Sequence, residues 1–221
     1  EAGLCDAVVV GGADSLCQMT LRGFASLGLV SPEPTRPCDA GRSGISVGEG
    51  AGFALLEREG ARPDATVMAR WVGYGVSSDG HHMSSPDPQA RGAVAAMREA
   101  LERAGLGACQ IDYINLHGTG TSVNDAMEDH AVQAVFGPEV ACSSTKGWTG
   151  HTLGASGIIE AMFAVVMMRA GFAPGCLNVT RLDPAFGSRV LTQTVHMPLR
   201  RVMSNAFGFG GTNCSLIFEA V

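Results

Sequence analysis

The sequence predicts an α/β fold, and three observations carry that prediction. From Val67 onward the order of segments is strand, helix, strand, helix, strand, helix, strand, strand. Alternation of this kind argues for a mostly parallel sheet with helices on both faces. The strand-like runs are short, apolar and closed by glycine, proline or small polar residues, as buried strands are. Finally, His117, Lys146 and the segment Phe207–Asn213 all fall just past predicted strands, where ligands gather in such folds.

The elements follow in order. Glu1–Asp6 reads as a helix end running into Ala7–Val10, a buried strand by pattern that stops at Gly11-Gly12. Met19–Leu29 suits helix or loop, and Pro32, Pro34 and Pro37 mark an irregular link. Gly48–Gly52 leads into the strand Phe53–Glu57, and Gly60–Asp64 is a turn. Val67–Val76 is a long strand. Ala93–Ala104 is an amphipathic helix with Val94, Met97, Leu101 and Ala104 on one face, closed by Gly105. Ile111–Leu116 is a strand that delivers His117. Asp125–Phe136 is a helix whose Asp125 and Glu128 have capping-box spacing, ended by Gly137-Pro138. Val140–Ser143 is a short strand, and Gly157–Gly171 a helix apolar on nearly every side and therefore expected to be buried. Val190–His196 and Val202–Ala206 are extended, and Cys214–Phe218 is the last strand.

Composition bounds the function. Hydrophobic residues make up 46% of 221, so a substantial core is available, whereas only 16% are charged. That low share fits a subunit that buries much of itself against a partner. A net charge of -6 argues against a nucleic-acid binder. The seven cysteines show no metal-ligand spacing, and their odd number fits free thiols in a reducing cytoplasm. No metal site is expected. There is no signal peptide pattern, and the longest apolar stretch, Ile158–Met168, is too short to span a membrane and contains Glu160. A chain that opens at Glu1 in mid-element is expected to be a fragment or a processed piece.

The residues with chemistry are two histidines among small neighbours. His117 opens His117-Gly118-Thr119-Gly120-Thr121, where glycines allow close approach to a ligand and hydroxyls stand at Thr119 and Thr121. A lone strand-end histidine is ordinarily a satisfied structural residue. With His151 as a second imidazole, the pair can hold a carbonyl oxygen as it becomes an enolate. His151 follows Gly150 and precedes the apolar helix, whose N-terminal field favours a neutral ring. Lys146 stands between a buried strand and the Gly150-His151 turn. Glu160 lies alone among Ile158, Ile159, Met162 and Phe163, so Lys146 is its natural partner. Asp125 and Glu128 either join this network or cap their helix. Phe207–Asn213 lacks the Lys-Ser/Thr ending of a phosphate loop, and reads instead as a mobile, aromatic-sided turn with its N–H groups toward the site.

Four motifs together carry a resemblance. His117–Thr121, Ser143-Ser144-Thr145-Lys146, Gly150-His151-Thr152-Leu153-Gly154-Ala155 and Asn205–Asn213 occur in one order, with Gly11-Gly12-Ala13 and Ser77-Ser78-Asp79 in support. The chain resembles the β-ketoacyl-[acyl-carrier-protein] synthases of the thiolase superfamily along its whole length. The resemblance implies a thiolase-like αβαβα five-layer sandwich, with residues 1–64 ending the first half and residues 65–221 forming all of the second. It implies decarboxylative condensation of an acyl thioester with malonyl-acyl carrier protein. His117 and His151 would hold the malonyl thioester carbonyl, with Lys146 positioning the network and Glu160 and Asp125 supporting it. Thr119 and Thr121 would bind the phosphopantetheine arm, which arrives on the carrier protein, so no resident cofactor is needed. The Phe209 backbone N–H would serve the oxyanion hole, and Phe209, with Phe207 and Phe24, would wall and gate the acyl pocket.

The family's nucleophilic cysteine lies upstream of the strand that resembles Ala7–Val10. None of Cys5, Cys17, Cys38, Cys109, Cys142, Cys176 or Cys214 sits in a matching strand-to-helix turn. Cys142 and Cys214 are expected to be buried structural thiols. The nucleophile is therefore expected from a missing N-terminal segment, and this chain alone to be inactive. Implied partners are an acyl carrier protein and a second ketosynthase-like subunit, as a homodimer or heterodimer. A thiolase would carry a second catalytic cysteine in the loop that here reads Gly210-Gly211-Thr212-Asn213. The alternative is a non-catalytic, chain-length-factor-like partner subunit; such subunits tend to lose the histidines that this chain keeps.

Overall fold

The computed structural model describes residues 5–221. Most of the helix end expected at Glu1–Asp6 lies outside the described residues. Strand β1 (Ala7–Asp14) leads through a turn to α1 (Gln18–Ser26) and then, after a long irregular segment, to β2 (Gly50–Glu57), which pairs antiparallel with β1. Then come β3 (Arg70–Ser78), α2 (Arg91–Ala104), β4 (Tyr113–Asn115), α3 (Ser122–Phe136), β5 (Ala141–Ser143), the one-turn α4 (Lys146–Thr149) and α5 (Ser156–Ala170). The chain closes with β6 (Phe172–Ala173), β7 (Arg189–Val190), β8 (Val195–His196), β9 (Arg201–Gly208) and β10 (Thr212–Glu219).

Among the described residues six strands form the main sheet, in the order β3-β10-β9-β4-β5-β7. Strands β9, β4, β5 and β7 run parallel, while β10 runs antiparallel to both β3 and β9. Five of the six strands therefore share one direction, as the mostly parallel expectation had it, and β10 runs against them. The reason is local: β9 and β10 are joined by the tight glycine-rich turn, and a tight turn can connect only antiparallel neighbours.

Side-chain alternation sorts the core onto the two faces. Ile114, Met203 and Ile217 pack with Met97, Leu101, Met127 and Val132 of α2 and α3. Their sequence neighbours Tyr113, Val202 and Phe218 pack on the other face, with Ala161, Ala164 and Met167 of α5. Helix α5 also contacts β1 and β2. The layers are therefore α2 with α3, the main sheet, α5, and the β1–β2 pair, stacked as in a thiolase-like α/β sandwich. A methyl group at Gly75 would overlap the Ala96 carbonyl, so glycine lets α2 lie directly on β3.

Two burial expectations need correction. Val8 and Val9 are 45% and 67% exposed: they point to opposite faces of β1, and among the described residues neither face is covered at this end of the strand. Met162 and Val166 of α5 are likewise exposed, so this helix presents one face to solvent despite its apolar circumference. The run Leu153–Ala170, which includes the preceding turn, is 18 residues and has the length and apolarity of a membrane-crossing helix. That amends the shorter stretch read from the sequence. In the fold this run lies between the two sheets and buries Glu160.

Candidate active site

His117 sits just beyond β4. Leu116 N–H still donates to Ser143 of the neighbouring strand, and then the chain turns. The Glu128 carboxylate accepts the N–H groups of His117 and Gly118, each at 2.8 Å, and Oε1 also accepts Asn205 Nδ2. Gly118 has a φ of 37°, and a Cβ there would overlap Ser144, so the turn is open only to glycine. Ser144 Oγ donates to the Gly118 carbonyl at 2.6 Å.

Lys146, the first residue of α4, is 1% exposed and pairs with Glu160, as the sequence suggested. Its Nζ also lies 3.3 Å from His117 Nδ1. A charged ammonium has only donors, so Nδ1 is the acceptor and the His117 proton sits on Nε2. Burial raises the Glu160 carboxyl pKa, while Lys146 opposes the rise through its charge and its hydrogen bond. Glu160 Oε2 has no hydrogen-bond partner among the described residues.

His151 lies between α4 and the 3₁₀ turn that precedes α5, not at the end of a regular strand. Its N–H donates to the Ser46 carbonyl at 2.7 Å. Leu153 N–H donates to His151 Nδ1 at 3.2 Å, so this ring too carries its proton on Nε2. Burial, and then the charge of Lys146, push the His151 pKa down to about 3. The helix field expected to keep the ring neutral is not the main cause, since α5 begins five residues later. Burial, Lys146 and His151 likewise hold His117 well below the ordinary imidazole range. The two rings meet edge to face, with centroids 5.2 Å apart.

Both rings line a cavity of about 510 Å³ whose walls are mainly apolar. Phe24, Thr119, Thr121, Phe207 and Phe209 line it as well. The Phe24 and Phe209 rings are 5.7 Å apart, and Phe207 lies 6.1 Å from His117. The fold thus gathers all but three of the sequence candidates around one space. Lys146 and Glu160 stand behind His117. Asp125 faces away from the cavity: its oxygens accept Gly120 N–H and Cys38 N–H, and Arg42 lies beside it.

The capping-box reading of Asp125 and Glu128 is corrected. Thr121 is the N-cap of α3 and accepts Asn124 N–H, while both acids are buried and hold loop backbone instead. Phe207–Asn213 is also more restrained than a mobile turn. Gly210 N–H donates to Met83, Asp79 N–H to Gly211, and Asn213 Nδ2 to Asp79 Oδ1. Sequence reasoning left Glu128 between joining the network and capping its helix, and missed Asp79 and Leu153 as positioning groups. Three acids on one helix face (Asp125, Glu128 and Asp129, all buried) were the available signal for Glu128. Leu153 gave none, because it acts through its backbone.

The cysteines divide clearly. Cys142 is buried as expected, but Cys214 is half-buried and lines the cavity. Burial raises the pKa of the Cys214 thiol, which disfavours the nucleophilic thiolate. A strand-to-helix turn does hold a cysteine, Cys17 between β1 and α1, yet it is exposed and not among the residues lining the cavity.

Two adjoining family models match this chain. The one described as beta-ketoacyl synthase, C-terminal domain, covers residues 68–180, and the beta-ketoacyl synthase, N-terminal domain, covers residues 1–61. The chain belongs to the beta-ketoacyl synthase family. It is 42% identical, over 100% of its length, to the mitochondrial 3-oxoacyl-[acyl-carrier-protein] synthase of Arabidopsis thaliana, covering 52% of that protein. It is 38% identical over 99% of its length to 3-oxoacyl-[acyl-carrier-protein] synthase 1 of Escherichia coli K12, covering 55%. Among solved structures it is similar to a ketosynthase in complex with its chain length factor from Xenorhabdus doucetiae. That similarity has a TM-score of 0.92 and 43% identity, over 99% of this chain and 54% of the other. This ketosynthase-family chain spans about half the length of the curated relatives it matches.

Proposed function

We propose that this chain supplies the decarboxylation and condensation half of a β-ketoacyl-acyl carrier protein synthase acting in the cytoplasm. One observation carries the reading: two neutral imidazoles, His117 buried and His151 half-buried, with centroids 5.2 Å apart, each with its proton on Nε2, on one wall of an apolar cavity. Two N–H donors in a water-poor site stabilise an oxyanion far better than they would in bulk water.

The reaction has three steps. A cysteine thiolate attacks an acyl thioester, forming an acyl-enzyme and releasing the carrier thiol. Malonyl-carrier protein then binds with its thioester carbonyl against His117 and His151. Its C–C bond to the carboxylate breaks, CO2 leaves, and the electron pair becomes an enolate held by the two Nε2–H groups. The enolate carbon attacks the acyl-enzyme carbonyl, the Phe209 N–H steadies the oxyanion, and collapse expels the thiolate. Thr119 and Thr121 hold the pantetheine arm that carries the malonyl group. Burial raises the pKa of Cys214, and none of the other six cysteines lines the cavity, so we assign the nucleophile to a segment outside these 221 residues. The chain then divides near residue 65, with 1–64 completing a first half and 65–221 forming the second. The partners are an acyl carrier protein and a ketosynthase-like subunit.

Release of labelled CO2 from malonyl-carrier protein tests this. His117→Ala and His151→Ala, introduced into an active preparation, should each lower decarboxylation by roughly 100-fold or more. Undiminished CO2 release in both variants removes the mechanism.

A further inference from the structure

The hydroxyls of Thr119 and Thr121 lie 2.9 Å apart on the cavity wall, and the loop bearing them is held from behind by a separate stretch of chain. The carbonyls of Gly120, Thr121 and Ser122 accept hydrogen bonds from residues 35–44, and Thr119 O lies near Thr35 Oγ1, whose nearer acceptor is Gly44 O at 2.8 Å. Thr35 Oγ1 lies 3.2 Å from Thr119 O, and Gly44 N–H donates to Gly120 O at 3.0 Å. Arg42 Nε donates to Thr121 O at 3.3 Å, and its Nη2 donates to Ser122 O at 3.2 Å.

Arg42 is itself locked. Its side chain is 6% exposed, its guanidinium lies 4.7 Å from the Phe186 ring centroid, and Nη1 donates to Asp183 Oδ2 and to the Asp39 carbonyl. Asp125 completes the frame, lying 3.7 Å from Arg42 Nε while accepting Gly120 N–H and Cys38 N–H. A planar fork with five donors can serve carboxylate and carbonyl acceptors in several directions at once, which a lysine cannot. With its carbonyls turned toward residues 35–44, the loop keeps its threonine hydroxyls on the cavity side.

We propose that Arg42, at the centre of the Thr35–Gly44 clamp, is a positioning residue for the pantetheine arm, setting the Thr119–Thr121 hydroxyl pair against the amides of that arm. The proposal rests on the function proposed above for its choice of ligand. Free pantetheine, which needs no catalysis, is the probe. In the purified protein, Arg42→Lys should weaken pantetheine binding roughly 10-fold, and Thr119→Val by a similar factor. The double variant should lose less than the product of the two single losses, because both act through the same hydroxyl pair. With malonyl-pantetheine as substrate, Arg42→Lys should raise KM and leave kcat within about twofold, the mark of lost binding rather than lost chemistry.

Wild-type affinity in Arg42→Lys overturns the proposal, and so does a double variant whose losses multiply. Thr35→Val loosens the same clamp without touching the buried ion pairs. Unchanged pantetheine affinity in that variant overturns the proposal even if Arg42→Lys does not fold. If wild-type protein binds pantetheine and the variants weaken it as stated, the clamp stands whether or not CO2 is released. Absence of CO2 release then counts only against the proposed reaction.

Discussion

Leu153 donates its backbone N–H to His151 Nδ1 at 3.2 Å, and takes a left-handed φ of 48° to do so. This conformation is costly for a residue with a Cβ. Its consequence is chemical: the bond leaves Nε2 as the only protonated nitrogen of a neutral His151. Ring ¹⁵N shifts should show the Nε2–H tautomer from pH 5 to pH 8, and an Nδ1–H signal would contradict this account.

The same histidine sets an acid limit on stability. Its pKa falls from the ordinary 6.5 to about 3 on folding, so between those values the unfolded chain binds the extra proton. Stability from His151 is complete above pH 6.5 and is lost as pH falls toward 3, by up to about 4 kcal/mol. Urea unfolding at pH 7 and pH 4 should show a smaller loss in His151→Gln than in wild type. Equal losses would remove His151 from the explanation.

Glu128 acts with the opposite sign. Burial raises its pKa from 4.5 to about 7 despite three hydrogen-bond donors, so the folded state binds the extra proton between those values. Its contribution to stability therefore falls as pH rises from 4.5 to 7. Glu128→Gln should abolish that slope. The amide NH2 cannot accept the His117 or Gly118 N–H, so one buried donor loses its partner, at a cost of about 1–3 kcal/mol at pH 5. Unfolding titrations across this range check both parts; an unchanged slope rules out Glu128 as its source.

Lys146 and Glu160 form a buried pair, 1% and 3% exposed at their side chains. Lys146→Met should destabilise by about 3–5 kcal/mol, because it strands a buried carboxylate. Adding Glu160→Leu should restore most of that stability. Decarboxylation should stay low in the double variant, because His117 Nδ1 has lost its donor. Recovery of both properties together would show that the lysine acts only in folding.

Phe209 is about half-exposed, and its main aromatic neighbour is Phe24. Phe209→Ala should change the unfolding free energy by less than about 1 kcal/mol. Under the proposed function it should also raise kcat/KM for long acyl thioesters relative to short ones. A length preference identical to wild type would deny Phe209 a role as gate.

Much of this was legible in the primary structure. The strand–helix alternation after Val67 and the Lys146–Glu160 pairing followed from periodicity and from the cost of a lone buried charge. The antiparallel insertion of β10 was not legible, because strand direction depends on which neighbours the chain returns to. Nor was the work of Asp125 and Glu128, whose spacing equally suits a helix cap. The buried side of a helix is decided by what packs against it.

The sequence by itself determined the residue types, the motif order and the family, because glycines, histidines and threonines at fixed spacing are local facts. Only the tertiary structure decided which nitrogen of each histidine holds its proton and which backbone groups face Glu128. It alone showed that residues 35–44 reach across to the Thr119–Ser122 carbonyls. Those outcomes depend on contacts between segments as much as 84 residues apart, such as Thr35 and Thr119, which no local pattern encodes.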